Sequence, residues 1–254
     1  MLDKASFRKT VFAFLLPMAI QNLINVAISS TDVIMLGRYS EVALSASSLA
    51  SQIQFILILL FFGIGSGATV LTAQYWGKKD TKTIEKILAI GIKIAFGLSL
   101  LFFIFAFFFS RSAMRIFTND ETTILEGIKY LKIVSFSYLT TSISIVYLVT
   151  MRSVERVGVS TVAYATSFVT NFIINYLLIF GSFGFAKMGV KGAAIGTLVA
   201  RIIELGIVFY YNSKNHHFVS IKWKYIKSLD PVLKKDFFKT GSKLLIYFHL
   251  IETK

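Results

Sequence analysis

Residues 11–36 read VFAFLLPMAIQNLINVAISSTDVIML, an apolar stretch that carries one acidic residue, Asp32. About 20 predominantly apolar residues are enough to cross the hydrocarbon core of a bilayer as a helix. An aspartate near the middle of such a helix opposes insertion by about 2.5 to 3.5 kcal/mol. The stretch therefore predicts a membrane helix whose acidic residue has a partner or a function inside the membrane.

Further apolar stretches follow at residues 43–73, 84–109, 133–149, 159–180 and 190–211. They lack the period-two alternation of a membrane β-barrel. In the bilayer core, backbone polar groups of an open chain are satisfied only within helices. We therefore predict an all-α polytopic membrane protein with six transmembrane helices in residues 1–211, followed by a basic linker and tail at residues 212–254.

The composition supports a membrane protein and argues against a nucleic-acid-binding one. Of 254 residues, 55% are hydrophobic and only 16% are charged, against about 25% charged in soluble domains. The net charge is +14, but the lysines and arginines flank apolar segments, as topology signals do. We expect contact with membrane lipid and none with nucleic acid.

The positive charges also predict orientation. Lysines and arginines are more numerous in the loops on the side of the amino terminus, mainly through the cluster Lys78, Lys79, Lys82 and Lys86 and the lysine-rich tail. Because cytoplasmic loops carry the excess of positive charge, we expect a multi-pass protein of the cell inner (plasma) membrane with both termini in the cytoplasm.

Four polar residues of the first predicted helix share one face. Gln21, Asn25, Ser29 and Asp32 are spaced by four, four and three residues, which places them within about 80° around a helix. A stripe that ends in an acid is suited to binding a cation or carrying a proton. The alternative for Gln21, Asn25 and Ser29 is interhelical hydrogen bonding that only holds helices together.

A second polar stripe lies on the fifth predicted span, where Ser167, Asn171 and Asn175 repeat at spacing four. An asparagine amide supplies both a carbonyl oxygen for a cation and donors for a carboxylate. We expect these residues to face Asp32 across the interior of the bundle. Interhelical hydrogen bonding alone is again the alternative.

Enzymatic chemistry finds no support in the sequence. Cysteine is absent, which excludes disulfides and thiolate metal sites. No nucleophile, base and acid arrangement, P-loop or histidine metal spacing is present. We expect a protein that is not an enzyme and binds no metal beyond a possible sodium ion at Asp32.

Two local structures are also predicted: an Arg201–Glu204 ion pair at spacing three, and capping by Thr118 or Asn119 of the helix that leads into the fourth span.

Several motifs in sequence order are similar to a known family. They are residues 16–22 (LPMAIQN), 31–38 (TDVIMLGR), 67–80 (GATVLTAQYWGKKD), 117–120 (FTND) followed by Tyr130-Leu131, 171–181 (NFIINYLLIFG) and 189–197 (GVKGAAIGT). Together they resemble the amino-terminal half of the multidrug and toxic compound extrusion (MATE) transporters.

The resemblance implies one six-helix lobe of a twelve-helix antiporter that exports cationic amphipathic compounds in exchange for sodium ions or protons, with no other cofactor. The family's cation-site acid falls on Asp32, and the polar pair of its fifth helix falls on Asn171 and Asn175. Some members have an aspartate at the second position of that pair, so asparagine here leaves the choice of coupling ion open.

The chain departs from the family pattern after Gly241, where a seventh helix is expected and the remaining sequence is too short to cross a bilayer. We interpret the chain as a truncated half that needs a second lobe, either the missing half or a second copy, for transport. Two alternatives remain: a flippase for a lipid-linked saccharide from the same superfamily, and a non-transporting membrane remnant or partner protein.

Overall fold

The structure is a computed structural model that describes residues 4–214, 218–228 and 230–240. Within these ranges the chain forms α1 (Lys4–Tyr39), α2 (Glu41–Gly77), α3 (Thr81–Phe108), α4 (Ser110–Arg115), α5 (Glu121–Ser153), α6 (Val157–Phe180), a 3-10 turn (Ser182–Gly184), α7 (Val190–Lys214) and α8 (Trp223–Lys227). Residues 231–240 are also helical.

The helices α1, α2, α3, α5, α6 and α7 are each long and apolar enough to cross a membrane. In α1 the apolar span covers Ala19–Tyr39. The prediction of an all-α fold with six transmembrane helices is therefore confirmed. The sixth spanning helix, α7, continues to Lys214, three residues beyond the predicted end of its span at Tyr211.

Carboxylate caps begin two of the long helices. Asp80 accepts a hydrogen bond from Thr83 N at 3.1 Å at the start of α3, and Asp120 accepts one from Thr123 N at 2.8 Å at the start of α5. The prediction that Thr118 or Asn119 caps the latter helix is wrong. Thr118 Oγ1 instead accepts a bond from Asp120 N at 3.1 Å, which leaves the Asp120 carboxylate facing the free amides of the first turn.

The helix α5 lies at the centre of the bundle and packs against α2, α3 and α7. Its side chains Leu131, Tyr138, Tyr147 and Leu148 are fully buried. On the other side of α7, α6 packs between α7 and α1. The outer faces of the bundle carry exposed large apolar side chains, as expected of surfaces that contact lipid: Phe55, Phe62, Leu101, Phe108, Val162 and Ile202 are examples.

The bundle has two ends, which we name by what they carry. At the strap end, α2, α5 and α7 finish and α3 and α6 begin; at the far end, α1, α3 and α6 finish and α2, α5 and α7 begin. Residues 218–228 and 230–240, which we call the strap, fold back over the strap end. The fourteen-residue carboxyl terminus, 241–254, for which truncation was predicted, lies outside the described residues.

A buried carboxylate anchors the strap. Glu85, in the first turns of α3, is 2% exposed. Its Oε1 accepts from Ser220 N at 3.3 Å and from Ser220 Oγ at 3.0 Å, and Lys222 Nζ lies 2.9 Å from Oε2. The buried side chains Leu233 and Phe237 pack against α2 and α3. The strap is therefore an integral part of the fold.

Lys93 explains how one charge inside an apolar helix is accommodated. It lies in the middle of α3, and its Nζ donates to the Ile226 carbonyl of the strap at 3.4 Å. A lysine stem can run along apolar surface while its ammonium reaches a polar boundary. The strap supplies that boundary here.

Candidate functional site

Asp32 is held by α6. The side chain lies in α1, about two turns before the helix ends at Tyr39, and it is half-buried. Asn175 Nδ2 donates a hydrogen bond to Asp32 Oδ1. Within the described ranges no lysine or arginine forms an ion pair with this carboxylate. Its direct partner is thus a neutral amide.

The polar side chains of α6 continue the site toward α7. Asn175 Nδ2 also donates to Asn171 Oδ1 at 3.2 Å, and Asn171 Nδ2 donates to Thr197 Oγ1 of α7 at 3.4 Å. One turn further, Ser167 Oγ donates to the Ala200 carbonyl at 3.4 Å. The spacing of four therefore forms a ladder of hydrogen bonds, with Asn175 nearest Asp32 and Ser167 farthest from it.

The carbonyl oxygen of Asn175 is the least satisfied atom of the site. Asn175 is fully buried, and its Oδ1 has no donor among the described residues. This oxygen lies against Gly196 of α7 so closely that a Cβ at that position would overlap with it. A buried acceptor without a donor costs free energy, so the arrangement suits a group that brings positive charge.

A buried tyrosine closes the site from the central helix. Tyr130, in α5, is 5% exposed. Its side chain lies beside Ser51 of α2 and Thr197 of α7 and near Asp32. Side chains from α1, α2, α5, α6 and α7 therefore converge on one polar region inside the bundle.

Gln21, the other member of the predicted stripe of α1 whose side chain the structure describes, does not meet Asp32. Gln21 is fully buried, but it lies near the strap end, where its Nε2 donates to Thr161 Oγ1 at 2.9 Å. Its Oε1 accepts from Arg152 Nη1 at 3.4 Å. Gln21 and Asp32 thus both face α6, about 16 Å apart along the helix axis. The side chains of the predicted residues Asn25 and Ser29 lie outside the part of the chain that the structure describes, although their backbone belongs to α1.

The predicted Arg201–Glu204 ion pair is present in the middle of α7. Arg201 Nη1 donates to Glu204 Oε2 at 2.6 Å, and the two side chains are 16% and 2% exposed. The prediction of a direct pair is confirmed. The pair is buried within the bundle, so the guanidinium faces protein.

Four residues of the site were absent from the sequence-based candidates: Ser51, Tyr130, Gly196 and Thr197. A partial signal existed, because Gly192 and Gly196 are spaced by four immediately before Thr197, a pattern typical of close helix contact. The sequence did not show which helix contacts that surface. Tyr130 had a signal only as part of a family motif, because it lies just before the predicted span of residues 133–149.

The chemistry available to the site is oxygen-based. A carboxylate, two amides and a hydroxyl are hard oxygen donors, which suit an alkali or alkaline-earth cation or a proton. The described residues contain no cluster of three or more His, Cys, Asp or Glu of the kind that holds a transition metal. The arrangement can hold and release a small cation; it offers no activated nucleophile.

These features define the class: a multi-pass membrane protein whose helices enclose a polar site around one acid. The MatE family profile matches residues 17–177, and the chain belongs to that family.

The comparisons with known proteins agree with this assignment. Over 212 residues the chain is 27% identical to the probable multidrug resistance protein NorM of Thermotoga maritima, covering 83% of this chain and 46% of that protein. Over 245 residues it is 26% identical to the multidrug export protein MepA of Staphylococcus aureus, covering 94% of this chain and 52% of that protein. The chain thus spans about half the length of these curated relatives.

A solved structure shares the fold. The outward-facing conformation of a multidrug resistance MATE family transporter of the MOP superfamily superposes with a TM-score of 0.80 at 18% sequence identity, covering 92% of this chain and 51% of that chain. At this identity the likeness establishes the fold. The six-helix bundle therefore corresponds to about half of a MATE architecture.

Proposed function

We propose that this chain is one six-helix lobe of a cation-coupled antiporter that exports cationic amphipathic compounds, with Asp32 as the acid that binds the coupling ion. Asn171 and Asn175 complete the cation site, and the ion is Na+ or H+. We further propose that the protein lies in the plasma membrane with both termini in the cytoplasm.

The observation that carries the proposal is the pairing of Asp32. A carboxylate inside the membrane region is costly unless a partner neutralises it, yet its hydrogen-bond donor is the neutral amide of Asn175. A cation or proton that binds reversibly would neutralise the negative charge of Asp32, which the amide does not. A carboxylate kept only for packing would be expected to have a permanent basic partner.

The second support is geometric. The site joins α1 to α6 and α7 through side chains alone: Asp32 to Asn175, and Asn171 to Thr197. A ligand that binds these oxygens changes the contacts between helices, and it favours whichever arrangement binds it better. This is the coupling that alternating access between inward and outward states requires.

A second lobe is part of the proposal. The multidrug names of the relatives belong to proteins about twice this length, so export requires a facing lobe that closes the substrate cavity. That lobe is either a separate carboxyl-terminal half or a second copy of this chain. We propose Gln21, Asn25, Ser29 and Ser167 as the polar residues of this lobe that contact the exported compound.

The test is efflux in proteoliposomes that contain the purified chain and a fluorescent lipophilic cation. An imposed Na+ or H+ gradient should drive movement of the dye, and Asp32→Asn should abolish the gradient-driven part while the protein still inserts. Asp120→Asn is the matched control, because it removes an exposed acid from the start of α5 and keeps a side chain that can cap the helix.

Unchanged efflux in Asp32→Asn would contradict the role of Asp32. If the native chain shows no efflux under either gradient, cross-linking and co-reconstitution distinguish a dimer of this chain from a transporter split into two chains. A dimer that is inactive argues against transport by two copies, whereas efflux that appears only on co-reconstitution with a carboxyl-terminal lobe supports a split transporter.

A further inference from the structure

The Arg201–Glu204 pair is a buried pair of charges with no place in the proposed cation site. Its members are 16% and 2% exposed, with nitrogen and oxygen 2.6 Å apart. Such a pair usually stabilises the fold no more than apolar side chains of the same size would, because the cost of desolvating the charges offsets their attraction. Stability alone therefore does not account for it.

The ladder between α6 and α7 fixes the position of Arg201 relative to Asp32. Thr197 joins the site through Asn171, and Arg201 lies one helical turn beyond Thr197 on α7. The adjacent Ala200 carbonyl accepts the hydrogen bond of Ser167, the next rung of the ladder. Arg201 is thus one turn from the cation site on its strap-end side, and its charge attracts that of Asp32.

Glu204 keeps the guanidinium at that distance. It lies three residues further along α7, on the side of Arg201 away from Thr197, and binds the guanidinium directly. The charges of Asp32, Arg201 and Glu204 sum to one negative charge, which one monovalent cation at Asp32 neutralises. Arg201 therefore acts on Asp32 through space and does not occupy the position of the ion.

We propose that Arg201 is a positioning residue that lowers the affinity of Asp32 for Na+, and that Glu204 anchors it so that it weakens binding without replacing the ion. The inference rests on the proposed cation site. An exporter needs a site that releases its ion in each cycle, and a fixed positive charge one turn away makes release easier. At an effective dielectric constant of about 20, one unit charge about one helical turn away changes the affinity of Asp32 for Na+ on the order of tenfold.

The experiment measures the thermal unfolding midpoint of the purified chain in detergent as NaCl replaces N-methyl-D-glucamine chloride at constant ionic strength. Binding of Na+ to the folded chain raises the midpoint by mass action. Glu204→Gln releases the guanidinium toward Asp32 and should raise the Na+ concentration for half-maximal effect by about tenfold or more. The double variant Arg201→Gln/Glu204→Gln removes both charges and should lower that concentration several-fold.

The opposite signs separate electrostatic positioning from a structural role, because a merely structural pair moves both variants the same way or neither. Glu126→Gln/Lys129→Gln is the matched control: it removes an ion pair of the same spacing from the exposed first turns of α5. It should leave the Na+ dependence unchanged.

Asp32→Asn distinguishes the two ways in which the inference can fail. If the Na+ response of the native chain persists in Asp32→Asn, the proposed cation site is wrong. If the response disappears there but is the same in the Arg201 and Glu204 variants as in the native chain, the site stands and the role of Arg201 is overturned. No Na+ response in the native chain overturns sodium binding at Asp32 and this inference with it.

Discussion

Two carboxylates inside this protein are treated differently by their surroundings. Glu85, at the strap end, accepts two hydrogen bonds from Ser220 and pairs with Lys222 at 2.9 Å. Asp32, between α1 and α6, has the neutral amide of Asn175 as its donor. Both lie on helices that cross the bundle, but only Glu85 has a cationic side chain in contact.

The difference indicates what each acid is for. Glu85 is compensated by the strap, so its role is to hold residues 218–228 against α3. Asp32 has no lysine or arginine in an ion pair with it among the described residues, which is why we propose that it binds an ion. Because a compensated acid and an uncompensated one respond oppositely to neutralisation, the comparison can be tested.

The largest effect is expected at the apolar part of the strap. Phe237 is 3% exposed and packs beside Gly91 and the start of α3, so Phe237→Ala should cost about 3 kcal/mol for docking of the strap. Limited proteolysis within residues 218–240 reports the loss. Phe238→Ala is the matched control, because Phe238 is 50% exposed. Equal cleavage in both variants would show that the strap does not depend on the contact of Phe237.

Neutralising the two acids should change stability in opposite directions. Glu85→Gln leaves Lys222 without its partner and should destabilise the chain by roughly 2 kcal/mol. Asp32→Asn removes an uncompensated charge and should leave stability unchanged or increase it by about 1 kcal/mol. Unfolding midpoints in sodium-free buffer test both. A loss in Asp32→Asn as large as that in Glu85→Gln would remove the distinction between the two sites.

Crowding of the Asp32 site is the next test. Gly196→Ala introduces a Cβ that overlaps with Asn175 Oδ1, so α6 and α7 should separate at a cost of about 1 to 3 kcal/mol. On the same helix, a Cβ at Gly206 meets nothing within 4 Å, so Gly206→Ala should stabilise slightly. Denaturation of the two variants in the same detergent compares them; similar stability would mean that the close contact is not required.

The smallest effect concerns Asp120, an exposed acid that needs no counter-ion. Hydrogen bonds from Thr122 and then Thr123 lower its pKa from 3.8 to about 2. Since the folded-state pKa lies below the ordinary value, the cap contributes fully above about pH 4 and is lost as the pH falls toward 2. The first amides of α5 should therefore exchange more slowly in the native chain than in Asp120→Asn above about pH 4, and this difference should disappear as the pH falls toward 2. Equal rates in both proteins from pH 5 to 2 would show that the carboxylate charge is not used.

Local sequence signals predicted helices well and their caps less well. The six apolar spans were correctly located because burial in lipid needs about 20 apolar residues whatever the neighbours are. The cap of α5 was misassigned between Thr118 and Asn119 because several residues there can accept from backbone amides. The choice of Asp120 depends on where the first turn of the helix begins.

The candidate site shows the same division. Spacing along one helix placed Asn171 and Asn175 on a common face, and the ion pair of Arg201 with Glu204 followed from a spacing of three. Spacing failed to show that Gln21 and Asp32 end in different environments, because helix periodicity gives a direction around the axis and not the depth of the neighbouring side chain.

The sequence by itself therefore determined the fold class, the number of apolar spans and the acid that carries the unusual cost of burial, since each follows from transfer between water and lipid. Only the tertiary structure decided which groups meet that acid. The contact of Asp32 with Asn175, the approach of Gly196, the convergence of Thr197 and Tyr130, and the clamp of Lys222 on Glu85 all join distant parts of the chain. Helix packing creates these contacts. The sequence pattern predicted that Asn175 faces Asp32 and gave a partial signal at Gly196, but it did not predict the contacts of Thr197, Tyr130 and Lys222.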